Sequence, residues 1–510
     1  MKQWTPQQVA AAADARLTGP TMTTSGPERV TIDSRDAGPG ALFVGLKGEH
    51  TDGGRFAAQA LAAGAWGVIA SSEHAEGVRN HESSAASAGQ TGPRARGQPE
   101  QGTPGVVLAA EDPLRALQSL ATAWRQALKA DVIGVTGSTG KTSTKDLLLA
   151  VLGPHRRTIA SRANFNTEIG LPLEILAAPA GTEVLVLEMA MRGVGQIAEL
   201  AAIAQPDVAV IVNVGPVHLE LLGTVEAVAA AKAELIAALK PGGTAVVPLG
   251  ERLLEPHLRA DVRTVTFGPG GDLQLAESNA TAVKIAVNPG RFDSAQSPPP
   301  IGDRRFPSGP GSERIVLEVP FTQAHLRTNL LAAVAAALAI GVTPSGRVEM
   351  APSAGRGRRM TLPNGVTIID DCYNANPMSM RAALDDLAAT AAQAPGARRV
   401  AVLGDMLELG PEERAYHRQI GSHAAEVDVD LLITVGPLAA TMSESFDGEV
   451  QCVADASEAA ALLPELLAPG DVVLVKASRG VGLELVYRAL AEAADTGEEA
   501  ATSPGGGADS

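Results

Sequence analysis

The stretch VIGVTGSTGKTS, residues 132–143, decides how the rest of the chain is read. Val132–Val135 is a short apolar run of the kind that forms a buried strand, and a helix is predicted to start near Lys141. Between them, Gly137 and Gly140 let the backbone turn so that its N–H groups face an anion, and the helix N-terminus adds partial positive charge. Ser138, Thr139 and Ser143 complete this turn. Lys141 is spaced to reach terminal phosphates and Thr142 to set its hydroxyl on a cation, so the segment predicts ATP and Mg2+. The common phosphate-loop pattern places glycine where Val135 stands, so only the shorter GxxGKT form remains. The plain alternative is a glycine-rich turn beside a surface lysine.

Outward from this loop, short apolar runs alternate with helical periodicity. Middle strands are predicted at Val132–Thr136, Val184–Met189, Val208–Val214 and Thr244–Val247, set parallel and buried, with helices at Val225–Leu239 and Leu330–Ile340. Before the loop, helices are predicted at Thr5–Ala15, Arg55–Ala63 and Pro113–Lys129, and strands at Ala41–Leu46, Gly67–Ala70 and Val106–Ala109. After it, strands at Val366–Ile369, Val400–Leu403, Leu431–Val435 and Val472–Val475 alternate with helices at Met378–Thr390, Glu412–Val427, Ser457–Leu467 and Leu483–Ala493. This is a second doubly wound α/β unit, in which ligands gather at the carboxyl ends of strands.

Length and composition bound the rest. The 510 residues suffice for roughly three domains. At 3% aromatic residues, the cores must be built from Ala, Val, Leu and Ile. A formal charge of −16 argues against a nonspecific hold on nucleic acid or an anionic membrane, while leaving room for a local anion pocket. Cys372 and Cys452 are too few for a disulfide framework, which points to a reducing cytoplasm. No secretory signal is seen at the N-terminus, and Leu330–Val342 is too short to span a bilayer. Residues 82–104 and 288–312, rich in Ser, Gly, Pro and Gln, read as disordered insertions without chemistry, as does the tail from about residue 494.

The GxxGKT form resembles the Mur ligase superfamily. DDCYNANPMSM (370–380) and VLGDMLELG (402–410) narrow the resemblance to the branch that joins D-Ala-D-Ala to UDP-N-acetylmuramoyl-tripeptide. It covers about residues 28–70 and 106–490, apart from the second insertion. The resemblance implies three α/β domains: a UDP-substrate-binding N-terminal domain (1–112), a central P-loop ATPase domain (113–343) and a Rossmann-like C-terminal domain (344–493), followed by a disordered tail (494–510). It also implies an ATP-dependent amide ligase acting through an acyl phosphate, as a cytoplasmic monomer with small-molecule partners. Its product is the UDP-muramoyl-pentapeptide for peptidoglycan synthesis.

The resemblance also carries roles, each with a plainer reading beside it. Glu188, at the end of VLVLEM, becomes a Mg2+ ligand rather than a solvated cap. His218, in NVGPVHLELLG, becomes a contact to a second Mg2+ rather than a structural histidine. Lys232, in AVAAAKAEL, reads from sequence as a surface lysine near Glu234, whereas the family lysine is carbamylated and ligates Mg2+. Asn329 is implied near adenine, and Arg356 and Asp371 at the γ-phosphate or ribose, with a basic linker as the alternative for Arg356. Tyr373, Asn374 and Asn376 border the nucleotide and the incoming dipeptide, or simply form a turn; Asp405, Glu408, Lys476 and Arg479 are further candidates there. Ser34 and Arg35 are implied in UDP binding, and Asn164, Asn166 and Thr167 in receiving the UDP-linked sugar. A folylpolyglutamate synthase would leave the Asp33-Ser34-Arg35 segment and GDMLELG unexplained, and an ATP-binding switch would release phosphate without an amine acceptor.

Overall fold

The computed structural model describes residues 1–18, 23–87, 105–162, 164–288, 313–350 and 355–491, and all counts below refer to these. Three sheets follow one another along the chain. The first has five strands, in the order Arg16–Thr18, Val106–Ala110, Gly67–Ser71, Ala41–Val44 and Arg29–Thr31, parallel except for the first pair.

The central sheet has ten strands. Thr158–Ala160, Val184–Glu188, Asp131–Thr136, Val208–Ile211, Thr244–Pro248 and Arg263–Phe267 form its parallel part, in that order. The four predicted middle strands lie here. Leu273–Ser278 pairs parallel with Arg263–Phe267, Ala282–Val287 and Glu313–Glu318 then follow antiparallel, and Gly346–Arg347 closes the sheet. Sequence patterning did not reveal this extension. Its strands carry exposed polar faces, as in Gln274, Glu277 and Lys284, and so lack the apolar runs that mark the buried parallel strands.

The C-terminal sheet has the order Arg358–Thr361, Thr367–Asp370, Val472–Lys476, Arg399–Gly404, Leu431–Val435 and Glu449–Val453. Only its first pair is antiparallel. Its helices lie at Pro377–Ala391, Glu413–Glu426, Ala456–Leu466 and 484–491, within a few residues of the expected positions.

Aliphatic residues and alanine fill the cores, as the composition requires; Phe43, Trp124, Phe267, Phe321 and Phe446 are the buried aromatic exceptions among the described residues. The helix Ala324–Ala339 is buried from Leu330 to Leu338, and its alanines let it lie close to the helix Lys141–Leu152. Trp124 meets Trp4 edge to face at 5.4 Å and donates its indole N–H to Ala178 O at 3.0 Å, fixing the first helix to the central domain.

One insertion departs from expectation. The helix Ser72–Ser87 runs into the segment read as disordered from residue 82, carried by helix-compatible Ala, Glu and Ser. Residues 88–104, 289–312 and the tail lie outside the described residues.

Close packing makes one glycine a stability test. Gly421 lies inside the helix Glu413–Glu426, where alanine is normally worth about 1 kcal/mol more than glycine. A Cβ there would stand 2.1 Å from the Met442 carbonyl oxygen, a backbone atom with little freedom to move. Gly421→Ala is therefore expected to destabilise the C-terminal domain by about 1–3 kcal/mol, read as a lower urea midpoint.

Candidate active site between the central and C-terminal domains

The strand Asp131–Thr136 lies between Val184–Glu188 and Val208–Ile211, where strand order reverses. Such a reversal opens a crevice at the carboxyl ends of the strands. The glycine loop, Glu188 and the 212–218 segment all start there. Gly140 has φ +73, a left-handed conformation that side chains resist, and it leads into the helix Lys141–Leu152. A Cβ on it would meet the Asn329 amide at 2.9 Å, so Asn329, 4% exposed, lies against the loop itself.

The loop is braced from one side. Asn213 O accepts the Ser138 N–H at 3.2 Å, and Asn213 Oδ1 accepts the Thr139 N–H at 2.9 Å. The Ser138 hydroxyl donates to Gly215 O at 3.0 Å and accepts the Gly215 N–H at 2.9 Å. The N–H groups of Ser138 and Thr139 thus already have protein partners. The helix's first turn, Lys141 to Ser143, keeps N–H groups that no preceding helical carbonyl satisfies, and such donors suit an anion. Asn213 is the bracing residue that sequence reasoning missed.

A polar cluster is buried behind the loop. Glu188, 2% exposed, accepts from the Thr142 hydroxyl at 2.7 Å and from Asn166 Nδ2 at 2.9 Å. Its backbone N–H donates to Ser161 Oγ at 3.0 Å. The solvated-cap reading of Glu188 is therefore excluded. Lys141 is half-buried and donates from Nζ to Gly137 O at 2.8 Å, so it is not the exposed lysine of the plain reading. Burial lowers its pKa, Glu188 opposes that, and Arg356 adds to it.

Lys232 is 2% exposed, which overturns the surface reading. Its helix, Val225–Ala237, buries Val228, Ala229, Ala231 and Ala233 around it. Its ammonium has no hydrogen-bond or ion-pair partner among the described residues. Burial, and then repulsion from Lys141, push its pKa well below the usual lysine range. His218 Nδ1 lies 2.5 Å from Glu408 Oε2 of the C-terminal domain. Burial lowers the His218 pKa, and Glu408 opposes the shift.

No group of three or more His, Cys, Asp or Glu side chains forms a ready metal cage among the described residues. Mg2+ does not require such a cage, since it binds through one or two carboxylates together with substrate phosphates and keeps several waters. Glu188 and the Thr142 hydroxyl, in contact with each other, fit it.

The C-terminal sheet presents its own carboxyl ends to this cluster. Lys476, 2% exposed, donates to Asp371 Oδ2 at 2.7 Å and to Asn374 O at 2.9 Å. The Arg356 and Arg479 guanidiniums lie 4.1 and 5.4 Å from the Tyr373 ring centre, a cation–π arrangement that gathers positive charge. Asn374 Oδ1 accepts the Ala375 N–H. Asn376 caps the helix Pro377–Ala391 by accepting the Ser379 N–H at 2.9 Å, and it donates to Ser138 O across the interface at 3.4 Å. Its side chain is thus both helix cap and interdomain tie.

Ser143, His325, Leu326, Arg356, Arg359 and Asp386 line a cleft of about 90 Å3 between the two domains. Small-molecule sites commonly measure about 300–1,000 Å3, so the cleft in this arrangement is smaller than a nucleotide site.

The remaining predicted residues lie apart from this cluster. Arg35 forms a two-pronged ion pair with Asp33 in open solvent, which lowers the Asp33 pKa to about 2; Ser34 stands between them. Asn164 and Thr167 are exposed. His74, which sequence reasoning missed, bonds Ser71 Oγ at 2.8 Å, and its ring fills the space that a side chain at Gly54 would take.

Comparison with known proteins accounts for this arrangement. Three family profiles match in order: Mur ligase family, catalytic domain, at residues 28–122; Mur ligase middle domain at 135–337; and Mur ligase, glutamate ligase domain, at 355–479. The UDP-N-acetylmuramoyl-tripeptide--D-alanyl-D-alanine ligase of Bacillus subtilis is 33% identical, over 96% of this chain and 98% of its own. The enzyme of the same name from Mycobacterium tuberculosis is 37% identical, over 94% and 93%. A crystal structure of MurF from Acinetobacter baumannii superposes with a TM-score of 0.76 at 27% identity, covering 96% of this chain and 99% of that one. MurF ligase from Thermotoga maritima in complex with ADP gives 0.72 at 27% identity, covering 92% and 98%. The chain belongs to the Mur ligase family, among its UDP-N-acetylmuramoyl-tripeptide--D-alanyl-D-alanine ligases.

Proposed function

We propose that the protein joins D-Ala-D-Ala to UDP-N-acetylmuramoyl-tripeptide at the expense of ATP, giving the UDP-muramoyl-pentapeptide for peptidoglycan synthesis, and through it cell shape and division. The observation that carries this reading is full-length similarity to ligases of that name, because substrate choice rests on the outer domains. The substrate's terminal carboxylate attacks the γ-phosphorus of ATP, ADP leaves, and an acyl phosphate forms. The dipeptide amine then attacks the acyl carbon and phosphate departs. No protein nucleophile is needed, so positioning and charge neutralisation supply the catalysis.

Lys141 and the first turn of its helix hold the terminal phosphates. Arg356 and Asp371 approach from the C-terminal domain, and Asn329 backs the loop. Thr142, Glu188, His218 and a carbamylated Lys232 would hold Mg2+, which supplies neutralisation of the developing phosphate charge. The carbamate forms when the neutral Lys232 amine attacks CO2 and loses a proton. A buried, electrically repelled amine, without a partner among the described residues, favours that neutral form. Ser34 and Arg35 serve the UDP end, Asn164, Asn166 and Thr167 the sugar, and Tyr373, Asn374 and Asn376 the dipeptide side.

No helix among the described residues is long and apolar enough to cross a membrane. The exposed free thiol of Cys452 suits a reducing cytoplasm, where we place the protein as a monomer. The test is a coupled assay. ADP release should require both the UDP-linked tripeptide and D-Ala-D-Ala, with pentapeptide appearing by mass spectrometry. ADP release indifferent to the dipeptide would sink the ligase reading.

A further inference from the structure

Glu408 sits in the loop after the strand Arg399–Gly404, and three side chains hold that loop. Asp405 accepts the N–H groups of Leu438 and Ala439 at 3.0 and 2.6 Å. His417, fully buried, accepts the Met406 N–H on Nε2 at 2.9 Å, while Nδ1–H donates to Glu413 O at 2.7 Å. Only a neutral ring makes both bonds. Ser478 Oγ accepts the Leu407 N–H at 2.9 Å.

Held this way, Glu408 has φ +64, and across the interface His218 has φ +53. A left-handed backbone is unfavourable for a non-glycine residue, and such strain persists only where the surroundings impose it. The two strained residues meet each other: His218 Nδ1 lies 2.5 Å from Glu408 Oε2. Glu408 Oε1 faces Arg192 at 3.4 Å. The Glu408 carbonyl accepts the Glu220 N–H at 3.4 Å, and a Cβ on Gly410 would stand 3.3 Å from that same nitrogen. One C-terminal loop thus grips both 192 and 218–220 of the central domain. A carboxylate can only accept, so it fixes the proton on Nδ1 and leaves the Nε2 lone pair free.

We propose that Glu408 is a positioning residue that couples seating of the C-terminal domain to the orientation of His218. With the domain away, the imidazole loses its carboxylate and turns freely. With the domain seated, it is held in one tautomer beside the loop cluster. This rests on the ligase reading for its kinetic arm only.

The test uses the full-length chain with dyes on the exposed thiol of Cys452 and at the exposed position Glu226→Cys, Cys372 being buried. Energy transfer reports how often the two domains are seated. Glu408→Ala is expected to lower the seated population and to cut kcat about 10- to 100-fold, with the KM for the UDP-linked substrate within about twofold. Glu408→Gln keeps a carbonyl oxygen for Nδ1–H and should recover kcat to within about fivefold of the unsubstituted enzyme. An unchanged seated population in Glu408→Ala, or a Gln variant as slow as the Ala variant, overturns the proposal. Absence of turnover in the unsubstituted enzyme would sink the ligase reading instead, and energy transfer would still judge Glu408.

Discussion

Lys141→Ala should lower kcat by about 10²- to 10³-fold, the usual cost of removing one fixed donor from a developing anion. The fold should not suffer. Lys141 opens its helix, a position where alanine is well tolerated, and among the described residues its Nζ bonds only the Gly137 carbonyl of its own loop. Its pKa is lowered by burial and by Arg356, so the charged side chain is less comfortable in the folded protein than in water. Removing it also relieves Lys232, which Lys141 repels. Thermal unfolding should therefore occur at the same temperature or slightly higher in the variant. A steady-state assay beside a melting curve checks both halves, and undiminished turnover would remove the phosphate role.

Lys232 separates the same two quantities more sharply. A lysine whose folded pKa is depressed binds fewer protons when folded than when unfolded, so it costs stability at any pH below its unfolded value. Lys232→Met keeps most of the volume and discards the charge. It should unfold at a higher temperature than the unsubstituted enzyme at pH 7 when both are melted without bicarbonate, so that Lys232 is the bare amine, and should lose turnover by about 100-fold or more. Lys232→Ala leaves a hole where the carbamate would lie, and formate or acetate should restore part of the rate. A Lys232→Met variant that is both active and unstable would mark the residue as structural. In crystals grown with bicarbonate and Mg2+, density at Nζ for a bare ammonium alone would count against the carbamate.

The parts of this site legible in the sequence were those with local causes. Gly140 reads as a turn because its left-handed backbone excludes side chains, and Val132–Val135 as a strand because it is buried on both faces. The alternation after residue 366 was visible for the same reason. What escaped depends on distance along the chain. His218 and Glu408 are separated by 190 residues, and nothing near either one announces the other. Lys232 was misread as exposed because a lysine usually is, although Ala and Val surround it on every turn of AVAAAKAEL. Val228, Leu235 and Ile236, at i−4, i+3 and i+4 from Lys232, mark its face of the helix as the buried one, and that spacing was the available clue. The strands between Arg263 and Glu318 escaped because their polar outer faces look like loop sequence.

The narrow cleft between Ser143 and Arg356 also governs how the protein treats its fuel. A nucleotide resting on the open central domain meets Lys141 and the helix terminus but not Arg356 or the Lys476–Asp371 pair, which arrive with the other sheet. Its far side would then face water, and charge developing in a phosphoryl transfer to solvent would lack those groups. If the proposed anion-binding groups are split between two sheets in this way, the enzyme is expected to be thrifty, hydrolysing ATP only slowly when it has nothing to join.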